Sequence, residues 1–149
     1  VIESWVQGMT DMKILAKVLF DRIEWQNVPD PVTINDMTKY IADAIRHLYT
    51  MTGRALLFSE SMFTSDENGI YTEFSADLPL DEREYVILSA QIAFLRKVQS
   101  SVDDLTSYTT DAMSITHGDK PYANLQQTIT DLESMRRSIW YKMGRYHLL

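Results

Sequence analysis

The stretch Tyr85-Val86-Ile87-Leu88-Ser89-Ala90-Gln91-Ile92-Ala93-Phe94-Leu95 decides how this chain folds. Wound as a helix, it sends apolar side chains in nearly every direction around the axis, and a helix that is apolar all round is normally enclosed. Ser89 and Gln91 interrupt it, and it falls well short of the roughly 18 to 20 apolar residues that span a bilayer. No membrane crossing is expected. Just upstream, Asp81 and Glu84 have the spacing of a capping box with Asp in the capping position, so the spacing predicts a helix over Glu82–Leu105. Its second half turns polar, with Val98, Val102 and Leu105 set among Arg96, Lys97, Gln99, Asp103 and Asp104. A four-helix domain of this size has trouble enclosing one helix completely. Part of the cover is therefore expected from a neighbouring subunit.

Working toward the N-terminus, Ala55–Leu80 changes period. Ile70, Thr72, Phe74 and Ala76 alternate with Tyr71, Glu73 and Ser75, and Asn68-Gly69 precedes them, which predicts a short hairpin or extended arm with its partner strand near Ser61–Thr64. Before it, Met37, Ile41, Ala44, Leu48 and Met51 recur at gaps of four and three, with Tyr40 and Ile45 widening the stripe. That helix is expected to begin after Thr33 and to stop near Thr52, where Gly53 suits a left-handed terminal residue. A first helix over Thr10–Trp25 carries Ile14, Leu15, Val18, Leu19 and Ile23 on one face, with Thr10 as its cap and Asp11 in its first turn. Pro29 and Pro31 end it.

Toward the C-terminus, Thr106–Tyr122 has no sustained period and is rich in Thr, Ser, Asp and Gly, an unusually long loop for a compact domain. A last helix over Tyr122–Met143 puts Leu125, Ile129, Leu132, Met135, Ile139 and Met143 on one stripe, with Pro121 at its start and Gly144 at its end. The fold class is thus mainly α: a bundle of about four helices with a β-hairpin or extended arm between the second and third. At 149 residues the chain makes one domain, 1–149, in which 1–31 supplies an N-terminal helix and linker, 106–122 the long loop and 144–149 a C-terminal tail.

Fourteen Lys and Arg against 21 Asp and Glu give a formal charge of -7, which opposes any reading in which the whole surface attracts phosphate. Cysteine is absent, so disulfides, thiolate metal sites and cysteine nucleophiles are excluded. No basic region followed by an apolar one opens the sequence, so no secretory signal is expected. Among chemical-looking clusters, His117-Gly118-Asp119-Lys120 offers two metal or proton ligands, too few for zinc, and reads as a polar turn leading into Pro121. Asp81, Glu82 and Glu84 suit a helix start better than acid-base work. The five glycines are too scattered to cradle a phosphate. No catalytic residue, cofactor or metal site is expected, and the chain reads as a non-enzyme. Arg136, Arg137, Lys142 and Arg145 beside Trp140, Tyr141 and Tyr146 form a cationic aromatic end suited to a partner surface or to nucleic acid.

The order of these elements resembles the head-tail connector proteins of tailed bacteriophages, also called adaptor or head completion proteins. The likeness runs from Thr52-Gly53-Arg54 through the hairpin Ser61–Ala76 and the apolar helix Tyr85–Leu95 to the loop ending Gly118-Asp119-Lys120-Pro121-Tyr122 and the closing helix Leu125–Met143. It implies a virion protein assembled in the host cytoplasm: a ring in the neck, usually of twelve copies, that meets the portal protein and the next neck or tail-terminator protein and passes DNA without holding it tightly. By position the resemblance makes Tyr85, Val86, Ile87, Phe94 and Leu95 subunit-interface residues. Loop contacts would fall to Tyr108, Met113, Ile115, His117, Lys120 and Tyr122, and portal docking to Arg136, Arg137, Trp140, Tyr141, Arg145 and Tyr146. The N-terminal region Val1–Pro31 is longer than in many compact members. The alternatives are a helical regulatory or binding module that holds nucleic acid or an acidic partner with its cationic aromatic tail, and a small enzyme built on His117 and Asp119.

Overall fold

The structure is a computed structural model that describes residues 9–23, 33–108 and 119–147, with side chains at 9–23, 33–100 and 125–144. Four helices and one small sheet are formed by the described residues. The order is β1 (Thr10–Asp11), α1 (Met12–Arg22), α2 (Ile34–Met51), two single 3-10 turns (Ala55–Leu57 and Glu60–Met62), β2 (Phe63–Ser65), β3 (Tyr71–Phe74), α3 (Leu80–Tyr108) and α4 (Asp119–His147). The fold class expected from the sequence is the one found: a helical bundle with a hairpin between its second and third helices.

Helix boundaries follow from local chemistry, in places differently from the sequence expectation. Thr33 caps α2 in a reciprocal box with Asp36, and Gly53 stops it with φ of +71°. For α1 the cap is Asp11, whose carboxylate accepts the Lys13 and Ile14 amides. Thr10, expected there, instead lies in β1. Its hydroxyl donates to the Ala76 carbonyl at 2.6 Å and accepts the Leu78 amide at 3.2 Å, tying the strand to the approach of α3. The third helix begins two residues early, at Leu80, so Asp81 lies inside its first turn and no Asp81/Glu84 box forms. Glu84 pairs with Arg22 of α1 through two contacts of 2.6 and 3.0 Å. The last helix runs through Gly144 to His147.

The hairpin β2–β3 forms where the period changes, and β1 joins it to give an antiparallel sheet in the order β1-β3-β2. Asp66 builds its turn by accepting the Asn68 and Ile70 amides at 2.8 and 3.0 Å, with Gly69 left-handed at φ of +78°. Tyr49, Phe58 and Phe63 surround the fully buried Phe74, whose ring centroid lies 5.2 Å from that of Phe63, and Tyr71 packs on Phe63 in turn. This aromatic cluster seats the sheet on α2. Arg46 of α2 adds a polar clamp, donating to both Glu60 oxygens at 2.8 Å and lying 5.0 Å over the Phe63 ring.

The long loop is shorter than expected. Thr106–Tyr108 belong to α3 and Asp119–Tyr122 to α4, and 109–118 lie outside the described residues, as do 24–32 with Pro29 and Pro31. The largest correction concerns α3. Helices α1, α2 and α4 all pack on it, so it is the central rod of the bundle and not one corner of a square. Tyr85, Val86, Ile87, Phe94 and Leu95 are all at most 5% exposed in the single chain. The residues expected at a subunit interface are therefore core, at roughly 1.5–3 kcal/mol for each fully buried large apolar side chain. Along Tyr85–Leu95 only Ala93 is exposed.

Candidate docking surface

Because α2 and α3 are antiparallel neighbours, the end of α2 and the start of α3 lie together, and α4 returns its C-terminal half to the same end. Arg54 and Glu82 join the first two, and Trp140 of α4 packs on Tyr85 of α3 with ring centroids 5.9 Å apart. Exposed apolar side chains gather here. Leu56, Leu57 and Leu80 are 101%, 70% and 76% exposed, and Met51 and Tyr141 are half or more exposed. The 3-10 turn that carries Leu56 and Leu57 buries none of its residues. Apolar surface offered in one place is a mark of a protein-contact site.

The α4 stripe explains which docking candidates point outward. Leu125, Ile129, Leu132 and Met143 are buried, yet Met135 is 52% exposed. A step of four from Leu132 reaches Arg136, and Arg136 takes the inward position that the apolar pattern assigned to Met135. Its Nη1 donates to Ser89 Oγ at 3.3 Å, and its guanidinium carbon lies 6.0 Å from the Tyr85 ring centroid. Trp140 is half-buried beside it, while Arg137 and Tyr141 face outward. Of the six residues expected to dock, the structure brings Arg136 and Trp140 onto α3 and leaves Arg137 and Tyr141 available. The side chains of Arg145 and Tyr146 lie outside the described residues, as do those of all the loop candidates, Tyr108, Met113, Ile115, His117, Lys120 and Tyr122.

A second feature was not anticipated. Helices α2 and α4 both pack on α3 but have little contact with each other. The furrow left between them opens into a cleft of about 290 Å³ with Tyr40 and His47 on one wall, Arg136 on the other, and Ser89, Ala93 and Arg96 on the floor. The His47 ring lies parallel to that of Tyr85, with centroids 6.2 Å apart. Partial burial there, and then the charge of Arg136, hold its imidazole below the usual histidine range. Arg96 is neutralised by Glu133 at 3.0 Å, and Asp43 at the rim is paired with Arg46. Sequence periodicity points to apolar stripes and so passes over an arginine that replaces an apolar residue on one. The histidine four residues before Met51 gave no other signal.

Among the described residues no helix is long and apolar enough to cross a membrane. No protein-family model, curated protein or solved structure gives a significant match to this chain. The surface itself is the guide to what the protein does.

Proposed function

We propose that this chain is a non-catalytic assembly protein of the phage neck, a head-tail connector subunit that forms a ring between portal and tail and lines the DNA channel. The exposed apolar end made by Leu56, Leu57 and Leu80 is the observation that carries this reading. A single chain that already encloses its own central helix has no need of those side chains for its core, and partner contact is what makes their exposure useful. The bundle-plus-hairpin fold is the architecture the family resemblance implies. Net charge of -7 suits a passage that DNA must traverse without being held.

Ring contacts on this reading come from the bundle end and not from Tyr85, Val86, Ile87, Phe94 or Leu95. The outward Arg137 and Tyr141 extend the apolar end toward the portal protein, where an exposed cation and an aromatic ring are common anchors. The test is a Leu56→Asp/Leu57→Asp variant mixed with the portal protein of the same virus. It should keep the wild-type unfolding temperature, since neither side chain is buried, and lose portal docking and ring formation. Docking undiminished by both charges would refute the assignment of this surface.

A further inference from the structure

We infer that the furrow between α2 and α4 is a carboxylate-binding site, shaped to take an Asp or Glu side chain presented by another polypeptide. It adjoins the apolar end through Tyr85 and does not depend on the neck reading. Arg136 is the reason. A guanidinium has five N–H donors arranged to grip a planar anion through two parallel bonds. Here it is half-buried, and among the described residues it meets one neutral hydroxyl, Ser89 Oγ at 3.3 Å, and the face of Tyr85. No carboxylate lies within 4 Å of it among the described residues. Of the other charges in the cleft, Arg96 is paired with Glu133, and Asp43 shares Arg46 with Glu60. The unpaired cation of the cleft is Arg136, with His47 and Tyr40 lining the same space, at a depth where a bare cation is costly and a paired one is not.

That charge count selects the ligand. One carboxylate neutralises one guanidinium, whereas a phosphate dianion would leave a surplus negative charge close to Asp43. The fork geometry of Arg also matches a carboxylate's two oxygens. The volume of about 290 Å³ suits one side chain or a small molecule. The source is a polypeptide because the cleft lies in an open furrow between two helices, with Ala44 and Ala93 offering no bulk against an approaching backbone.

The direct test is nuclear magnetic resonance of the full chain, following the Arg136 Nε–H and the His47 ring. The probe is N-acetylglutamate α-methylamide, whose side-chain carboxylate is its only charge. Its glutamine counterpart, acetate and inorganic phosphate at matched ionic strength are the comparisons. The glutamate probe should give saturable shifts at both groups, the glutamine probe none, and acetate and phosphate at least about tenfold weaker responses. Arg136→Gln should abolish the effect, Arg136→Lys should weaken it through loss of the fork, and Arg137→Gln should leave it intact. Either Arg136 variant suffices if the other fails to fold. No saturable shift, equal affinity for phosphate, or a response that survives Arg136→Gln would overturn the site. Acetate binding as tightly as the glutamate probe would overturn the polypeptide assignment.

Discussion

Arg54 closes on Glu82 across the junction between the end of α2 and the first turn of α3, and it does so over a carboxylate left only 4% exposed. Arg54 is itself positioned from three sides. Its Nε donates to Thr52 Oγ1 at 2.8 Å, its plane lies 4.6 Å over the Tyr49 ring, and its backbone amide donates to the Tyr49 carbonyl at 2.9 Å. Gly53 makes this possible by turning the chain back at the end of α2 with a positive φ.

Removing the cation would strand a buried negative charge. Arg54→Ala should therefore cost about 3–5 kcal/mol in urea unfolding. The double variant Arg54→Met/Glu82→Leu should recover most of that loss, because two matched apolar groups leave nothing unpaired. A loss under about 1 kcal/mol for Arg54→Ala would mean that water reaches Glu82.

The isolated chain should fold on its own. With α3 enclosed by α1, α2 and α4, thermal unfolding should be cooperative and independent of protein concentration, and Leu88→Ala, at a site 1% exposed, should cost about 2–5 kcal/mol. Strong binding of an apolar dye by the wild-type chain at neutral pH would show an uncovered core.

The Arg46 clamp predicts a local response to acid. The Glu60 carboxyl is held below the usual carboxylate range, chiefly by its hydrogen bonds from Arg46. A carboxylate whose pKa is lower folded than unfolded adds stability above its unfolded value of about 4.5, and that contribution is lost as pH falls through the folded value. The Glu60 side chain is exposed, so the effect is weak and shrinks with salt. Amide exchange in Phe63–Ser65 and Tyr71–Phe74 should accelerate below that range, and Arg46→Met should produce the same acceleration at neutral pH while α3 amides are unchanged.

Gln91 offers the opposite sign. It is 7% exposed, its Nε2 makes a long 3.5 Å bond to the Arg22 carbonyl, and its Oε1 has no partner among the described residues. Gln91→Leu should be neutral or stabilising by up to about 1 kcal/mol, as read by the urea midpoint. A loss of more than about 2 kcal/mol would show that the amide is held by stronger bonds than these.

These particulars show which signals a sequence carries. The apolar recurrence after Thr33, and Gly53, bounded α2 correctly because helical period and left-handed termination depend only on neighbours in the chain. The hairpin was visible in the alternation around Phe74 for the same reason. Thr10 and Glu84 were misread because their partners, Ala76, Leu78 and Arg22, are more than sixty positions away. The enclosure of α3 was misjudged because the apolar pattern shows that a helix must be covered and not how many neighbours will cover it. Arg136 was read as part of a docking surface because its role in the cleft depends on His47 and Ser89, which no spacing connects to it.

The most direct test of the account is an electron cryomicroscopy reconstruction of the tailed-phage particle to which this chain would belong. A symmetric ring of copies should surround the DNA axis between portal and tail, with Leu56, Leu57 and Leu80 covered by a neighbouring chain. A particle neck that lacks the chain, or a ring in which that end faces solvent, would contradict it.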